Sequence, residues 1–100
     1  MPVKLLMTWD IANGQESEYS EFVVNEFIPR MQRLGMGDIE FWYTRYGECK
    51  QIQASGVSPT LEQMQNILTS REWRHLQQRL EGYVQDYDQK LIEATRGFQI

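Results

Sequence analysis

The chain has 100 residues, of which 41% are apolar and 24% charged, and it carries a net charge of −4 at neutral pH. That length holds one domain with one core, and the apolar share excludes a disordered chain. Acidic and basic residues are mixed along the sequence, which argues against nucleic acid and anionic membrane as partners, since both need clustered Lys and Arg.

Val3 to Ile11 reads as a first strand, with Leu5, Met7, Trp9 and Ile11 on one face and Lys4, Leu6, Thr8 and Asp10 on the other. Asn13-Gly14 ends it, because both residues tolerate positive φ. Ser17 to Leu34 reads as a helix. Tyr19, Phe22, Val23, Phe27, Ile28 and Met31 recur at spacings of three and four as one apolar stripe. Glu16, Glu18 and Glu21 crowd its start and Arg30 and Arg33 its end, as the helix dipole favours. Pro29 predicts a kink or break inside the stripe, and Gly35 a stop.

Asp38 to Tyr46 reads as a second strand. Ile39, Phe41 and Tyr43 point one way, and Trp42 and Tyr46 the other. A sheet with one wet face would carry polar residues on that second side. Large aromatics on both sides imply that both are covered, one by this chain's helices and the other by a second copy of the chain. Gly47 and Glu48 make a turn, and Lys50 to Val57 reads as a third strand with Ile52, Ala54 and Gly56 small on one face.

Ser58-Pro59 reads as the start of a second helix, with Ser58 as N-cap. Leu61, Met64, Ile67 and Leu68 form its buried side. Ser70 is a fresh N-cap, and Trp73, Leu76, Leu80, Tyr83, Val84 and Tyr87 continue at helical period. The tail alternates Ile92, Ala94, Phe98 and Ile100 with Glu93, Thr95, Gly97 and Gln99, although a helix could also run on through Leu91 and Ile92. Period two fits better and predicts a last strand from Lys90 to Ile100. The order strand, helix, strand, strand, helix pair, strand describes a single α+β domain over 1–100: a ferredoxin-like βαββαβ sandwich with one four-stranded antiparallel sheet.

In this element order the chain resembles the dimeric α/β-barrel superfamily, which includes antibiotic-biosynthesis monooxygenases, NIPSNAP-type, EthD-type and haem-degrading proteins. Ser70-Arg71-Glu72-Trp73 after a short helix and the tail Ala94-Thr95-Arg96-Gly97-Phe98-Gln99 carry the likeness. The resemblance implies a homodimer whose two sheets face each other as a barrel, with Leu6, Thr8, Trp42 and Tyr46 at the interface. It also implies a pocket for a small apolar molecule between sheet and helices. Trp9, Phe41, Tyr43 and Trp73 would line it, with Ala54 and Gly56 leaving room and Tyr43 and Arg45 as polar anchors. If the protein is an enzyme, the resemblance points to cofactor-independent oxygenation of an electron-rich aromatic substrate. The alternative is a non-enzymatic, structural or stress-associated dimer with no ligand pocket.

No metal or cofactor is expected. The single Cys49 excludes an internal disulfide and a cysteine zinc cage. The sequence has no HExxH, no phosphate-binding glycine loop and no nucleophile elbow. The one histidine, His75, falls two residues after Trp73 and so points roughly 200° away on a helix. Haem-degrading relatives place these residues further apart and add an asparagine on the first strand, which this chain lacks before Asn13, so haem degradation is not expected. The opening apolar run is short and holds Lys4, so no signal peptide is expected, and the predicted address is cytoplasmic.

Overall fold

A computed structural model describes residues 1–44 and 50–94. The chain order is β1 (Val3–Ile11), α1 (Glu16–Phe22), a π-helical segment (Val23–Phe27), α2 (Ile28–Leu34), β2 (Gly37–Tyr43), β3 (Ile52–Ser58), α3 (Leu61–Leu68), α4 (Arg71–Glu81) and β4 (Val84–Glu93). The strands form one sheet in the order β2-β3-β1-β4, with every neighbouring pair antiparallel. This is the expected ferredoxin-like α+β arrangement.

β1 alternates as its sequence predicts. Val3, Leu5, Met7 and Trp9 are buried, while Lys4, Leu6 and Thr8 are half-buried on the opposite face. Helices cover the first face through Phe27, Met31, Met64, Trp73, Leu76 and Leu80, all at 1% exposure or less. Gly14 sits at φ 82 in the turn after β1, and Gly35 at φ 114 caps α2 in the left-handed conformation.

The expected break near Pro29 takes a specific form. Tyr19, Val23, Phe27 and Met31 are spaced by four and all buried. On a regular α-helix each such step drifts by about 40°, which would carry the stripe off the sheet. The wider turn of Val23–Phe27 removes part of that drift. Pro29 then falls in the first turn of α2, directly after the π-helical turn.

Both edge strands carry a bulge. β2 shifts register between Gly37 and Glu40, and Asp38 there has φ 46. β4 is offset against Thr8 to Asp10 of β1, and Asp86 there has φ 59. Aspartate tolerates this conformation better than most residues. The β4 bulge corrects two expectations. The second helical region ends at Glu81 rather than running through Tyr87, and the last strand starts at Val84 rather than Lys90. Val84 pairs with Ile11 on the core side, and past the extra residue the odd-numbered Gln89 and Leu91 pair with Met7 and Leu5 on that same side. The bulge thus puts Val84 and Tyr87 three residues apart on one face, a spacing that imitates a helix.

Two N-caps were expected, at Ser58 and Ser70. Ser70 does cap α4, accepting from the Trp73 N–H at 3.1 Å. Ser58 does not: β3 runs through it, and Thr60 caps α3 by accepting from the Gln63 N–H at 3.1 Å. Within α3, Met64 and Ile67 are buried, but Leu61 is 47% exposed. Tyr46, Cys49 and the tail beyond Ala94 lie outside the described residues.

Candidate functional site

Trp9, on the buried face of the central strand β1, is the hub of an aromatic cluster. Tyr87 of β4 lies flat against it, with ring centroids 5.9 Å apart and planes 9° from parallel. Tyr19, Phe27 and Phe41 meet it edge-on at 6.4, 6.2 and 6.0 Å. Trp73 of α4 joins through Phe27 at 6.1 Å. Edge-on pairs bring the positive rim of one ring to the negative face of the next, which favours this layout beyond simple burial. Arg79 closes one side: it sits 4.9 Å over the Phe22 ring and makes a two-pronged ion pair with Glu26. That pairing holds the Glu26 carboxyl below its usual range.

Two hydroxyls belong to this cluster. The Trp9 Nε1–H donates to Tyr19 Oη at 3.1 Å, in the interior. Burial pushes the Tyr19 phenol up to about 12, only partly offset by the indole donor. The Tyr87 phenol is also raised, first by burial and then by the Glu81 and Asp88 carboxylates; its Oη donates to Gln89 Oε1 at 2.7 Å.

A polar rim borders the cluster at the end of the sheet where β1 finishes and β3 begins. Gln51 organises it. Its N–H donates to Asp10 Oδ1 at 2.8 Å, its Oε1 accepts from the Ile11 N–H at 2.8 Å, and its Nε2 donates to Tyr43 Oη at 3.0 Å. Lys50 Nζ reaches the Asp86 carbonyl of the β4 bulge.

Of the four residues expected to line a pocket, Trp9, Phe41 and Trp73 are drawn together around Phe27, whereas Tyr43 stands apart at the rim, 60% exposed. Trp9 and Trp73, each packed against Phe27, are 0% and 1% exposed and present no free surface. Nor does Gly56 leave room, because a Cβ there would lie 2.9 Å from Met36 Sδ and 3.0 Å from Met31 Cε. The two methionines occupy the space that the missing side chain provides. Tyr87, Tyr19 and Phe27 are cluster members that the sequence did not single out for a site. Tyr87 was hidden by the bulge that makes its spacing look helical.

The other sheet face carries no helix among the described residues. Leu6 and Thr8 are half-buried there, Trp42 is 58% exposed and Ile92 39%. A groove of about 260 Å³ runs along it beside Leu6, Thr8, Gln53 and Lys90. His75 is exposed on α4. Among the described residues no three His, Cys, Asp or Glu side chains gather to hold a metal ion, and no helix is long and apolar enough to cross a membrane.

No protein-family model and no curated protein matches the sequence. Solved structures do match over nearly the whole chain. An EthD family protein from Bacillus halodurans superposes with a TM-score of 0.77 at 13% identity, covering 95% of this chain and 100% of that one. A NIPSNAP family protein from Agrobacterium tumefaciens gives 0.68 at 17% identity, covering 95% and 94%. SnoaB, a cofactor-independent oxygenase from Streptomyces nogalater, gives 0.71 at 11% identity, covering 96% and 95%. Likeness at such low identity speaks to architecture rather than chemistry: the chain shares the ferredoxin-like α+β fold of these proteins.

Proposed function

We propose that this protein is a homodimer that binds a small, apolar or aromatic molecule at the Phe41–Tyr43–Tyr87 rim. Its chemistry is then cofactor-independent oxygenation by dioxygen, in which an electron-rich aromatic substrate itself supplies the electrons and hydrogens, takes up one oxygen atom and releases the other as water. The observation that carries this reading is Tyr87 lying flat on Trp9. Its ring holds the place an aromatic ligand would take, and among the described residues its one side-chain hydrogen bond goes to Gln89, two residues along on the same strand. Turning Tyr87 outward uncovers Trp9 as a flat floor, with Phe41 as a wall and Trp73 as backing through Phe27. Tyr43 Oη and the Gln51 carboxamide supply polar anchors at the mouth.

The dimer pairs the bare sheet faces, burying Leu6, Thr8 and Trp42. A tryptophan more than half exposed on an open sheet is the kind of anchor that interfaces concentrate.

One observation favours the alternative, a non-enzymatic dimer: Trp9 and Trp73 are already fully packed without a ligand. Native mass spectrometry of gently purified protein separates the readings. A dimer carrying a reproducible adduct, lost in Tyr43→Phe, supports the binding reading. A bare dimer in every preparation leaves the non-enzymatic one. Trp42→Asp shifts the population to monomer if the sheet faces pair; a wild-type monomer, or a dimer indifferent to Trp42→Asp, refutes that interface.

A further inference from the structure

Strand register arranges the bare sheet face in rows. Gln53 pairs with both Trp42 and Thr8, and Thr8 with Asp88, so Trp42, Gln53, Thr8 and Asp88 form one row across the four strands. The next row is Glu40, Ser55, Leu6 and Lys90. Directly paired residues project to the same side of a sheet. This second row is therefore lopsided: an acid at the β2 border, a small and an apolar side chain in the middle, and a base at the β4 border. Glu40 and Lys90 are both exposed, and neither has an ion-pair partner among the described residues.

Two copies that meet face to face are related by a two-fold axis lying between the sheets, and each contact then occurs twice. Sheets stacked in alignment keep their strand directions within about 30° of each other, which leaves two settings of the axis. Set perpendicular to the strands, it lays β2 over β2. That strand, Gly37–Tyr43, carries Asp38 and Glu40 and no Lys or Arg, so its acids face each other, and like charges weaken an interface. Set parallel to the strands, midway between β3 and β1, it overlaps all four strands and lays row over row. Glu40 of one copy then stands over Lys90 of the other, and Leu6 over the smaller Ser55, on both sides of the axis. In the neighbouring row Trp42 comes over Asp88, where its indole N–H meets an acceptor, and Gln53 over Thr8.

We infer that a second copy docks on this face about a two-fold axis running along the strands between β3 and β1, with paired Glu40–Lys90 contacts between the copies fixing the orientation. The inference rests on the homodimer proposed above and adds its symmetry and the two charges that select it. Opposite charges at the border of an interface govern orientation and partner choice more than affinity. Leu6, Thr8 and Trp42 supply the apolar area between them.

The test is sedimentation velocity of the full chain as wild type, as Glu40→Lys, as Lys90→Glu, and as an equimolar mixture of the two variants. Both positions are exposed, so the fold is kept in each variant, which circular dichroism verifies. Either variant alone sets like charges together twice and is expected to dimerise about tenfold more weakly than wild type. The mixture recovers wild-type affinity as a one-to-one heterodimer. In it the introduced lysine at position 40 meets the introduced glutamate at position 90, and the native pair remains on the other flank. Single variants that dimerise like wild type, or a mixture no tighter than its components, would overturn the axis and leave the sheet pairing to the Trp42→Asp result. A monomeric wild type would overturn both.

Discussion

Replacing Tyr19 by Phe tests whether the Trp9 hub depends on its single polar contact. The substitution removes one hydroxyl and leaves every ring in place. Trp9 is fully buried, so its Nε1–H, now bonded to Tyr19 Oη at 3.1 Å, would be left without a partner and without water. Stranding a buried donor costs about 1–3 kcal/mol. In a domain of this size each kcal/mol is worth roughly 4–8 °C of melting temperature. Thermal melts and urea titrations followed by circular dichroism read the loss. A double-mutant cycle makes the reading specific: in a Trp9→Phe background there is no indole N–H to strand, so Tyr19→Phe should then cost much less. Equal costs in the two backgrounds, or a melting temperature unchanged in wild type, would refute the claim that this hydrogen bond anchors the cluster.

Two further outcomes follow from the same geometry. Ser70→Ala removes the α4 cap that holds the Trp73 N–H and should cost about 1 kcal/mol, seen as a lower urea midpoint with an unchanged slope. The Tyr19 phenol ionises at about 12 in the fold and near 10 in the unfolded chain, so its contribution is intact below pH 10. It is lost as the pH rises from 10 toward 12, and Tyr19→Phe should flatten the stability decline in that window.

The faces of β1, the left-handed stop at Gly35 and the cap at Ser70 were legible because each is a local decision. Alternation, a missing Cβ and a side-chain oxygen three residues before an N–H act over a few positions. The end of α4 was not legible, for a reason that is also local but of opposite effect. Asp86 inserts one residue into an edge strand and turns a spacing of two into three, so Val84 and Tyr87 mimic a helix. Ser58 misled because Ser-Pro is a good helix opening, yet β3 keeps Ser58 paired with Val3 and hands the cap to Thr60. The aromatic composition of the cluster could be read from the chain. Its tightness could not, because the methionines that fill the space beside Gly56 come from elements distant in sequence.

The paired bulges have a consequence for how copies of this molecule can join. An unbroken outer strand is a template on which another chain can lay a strand of its own, and a protein with two such borders is at risk of polymerising into a ribbon. Here each border loses step partway along, at Asp38 on one side and Asp86 on the other, and each places an acidic residue at the fault. A newcomer strand in register with one half would be out of register with the next. Growth along the hydrogen-bonding direction is thereby discouraged on both sides at once, while the broad flank bearing Leu6 and Trp42 stays open to a partner. Such a molecule resists growth into an endless stack.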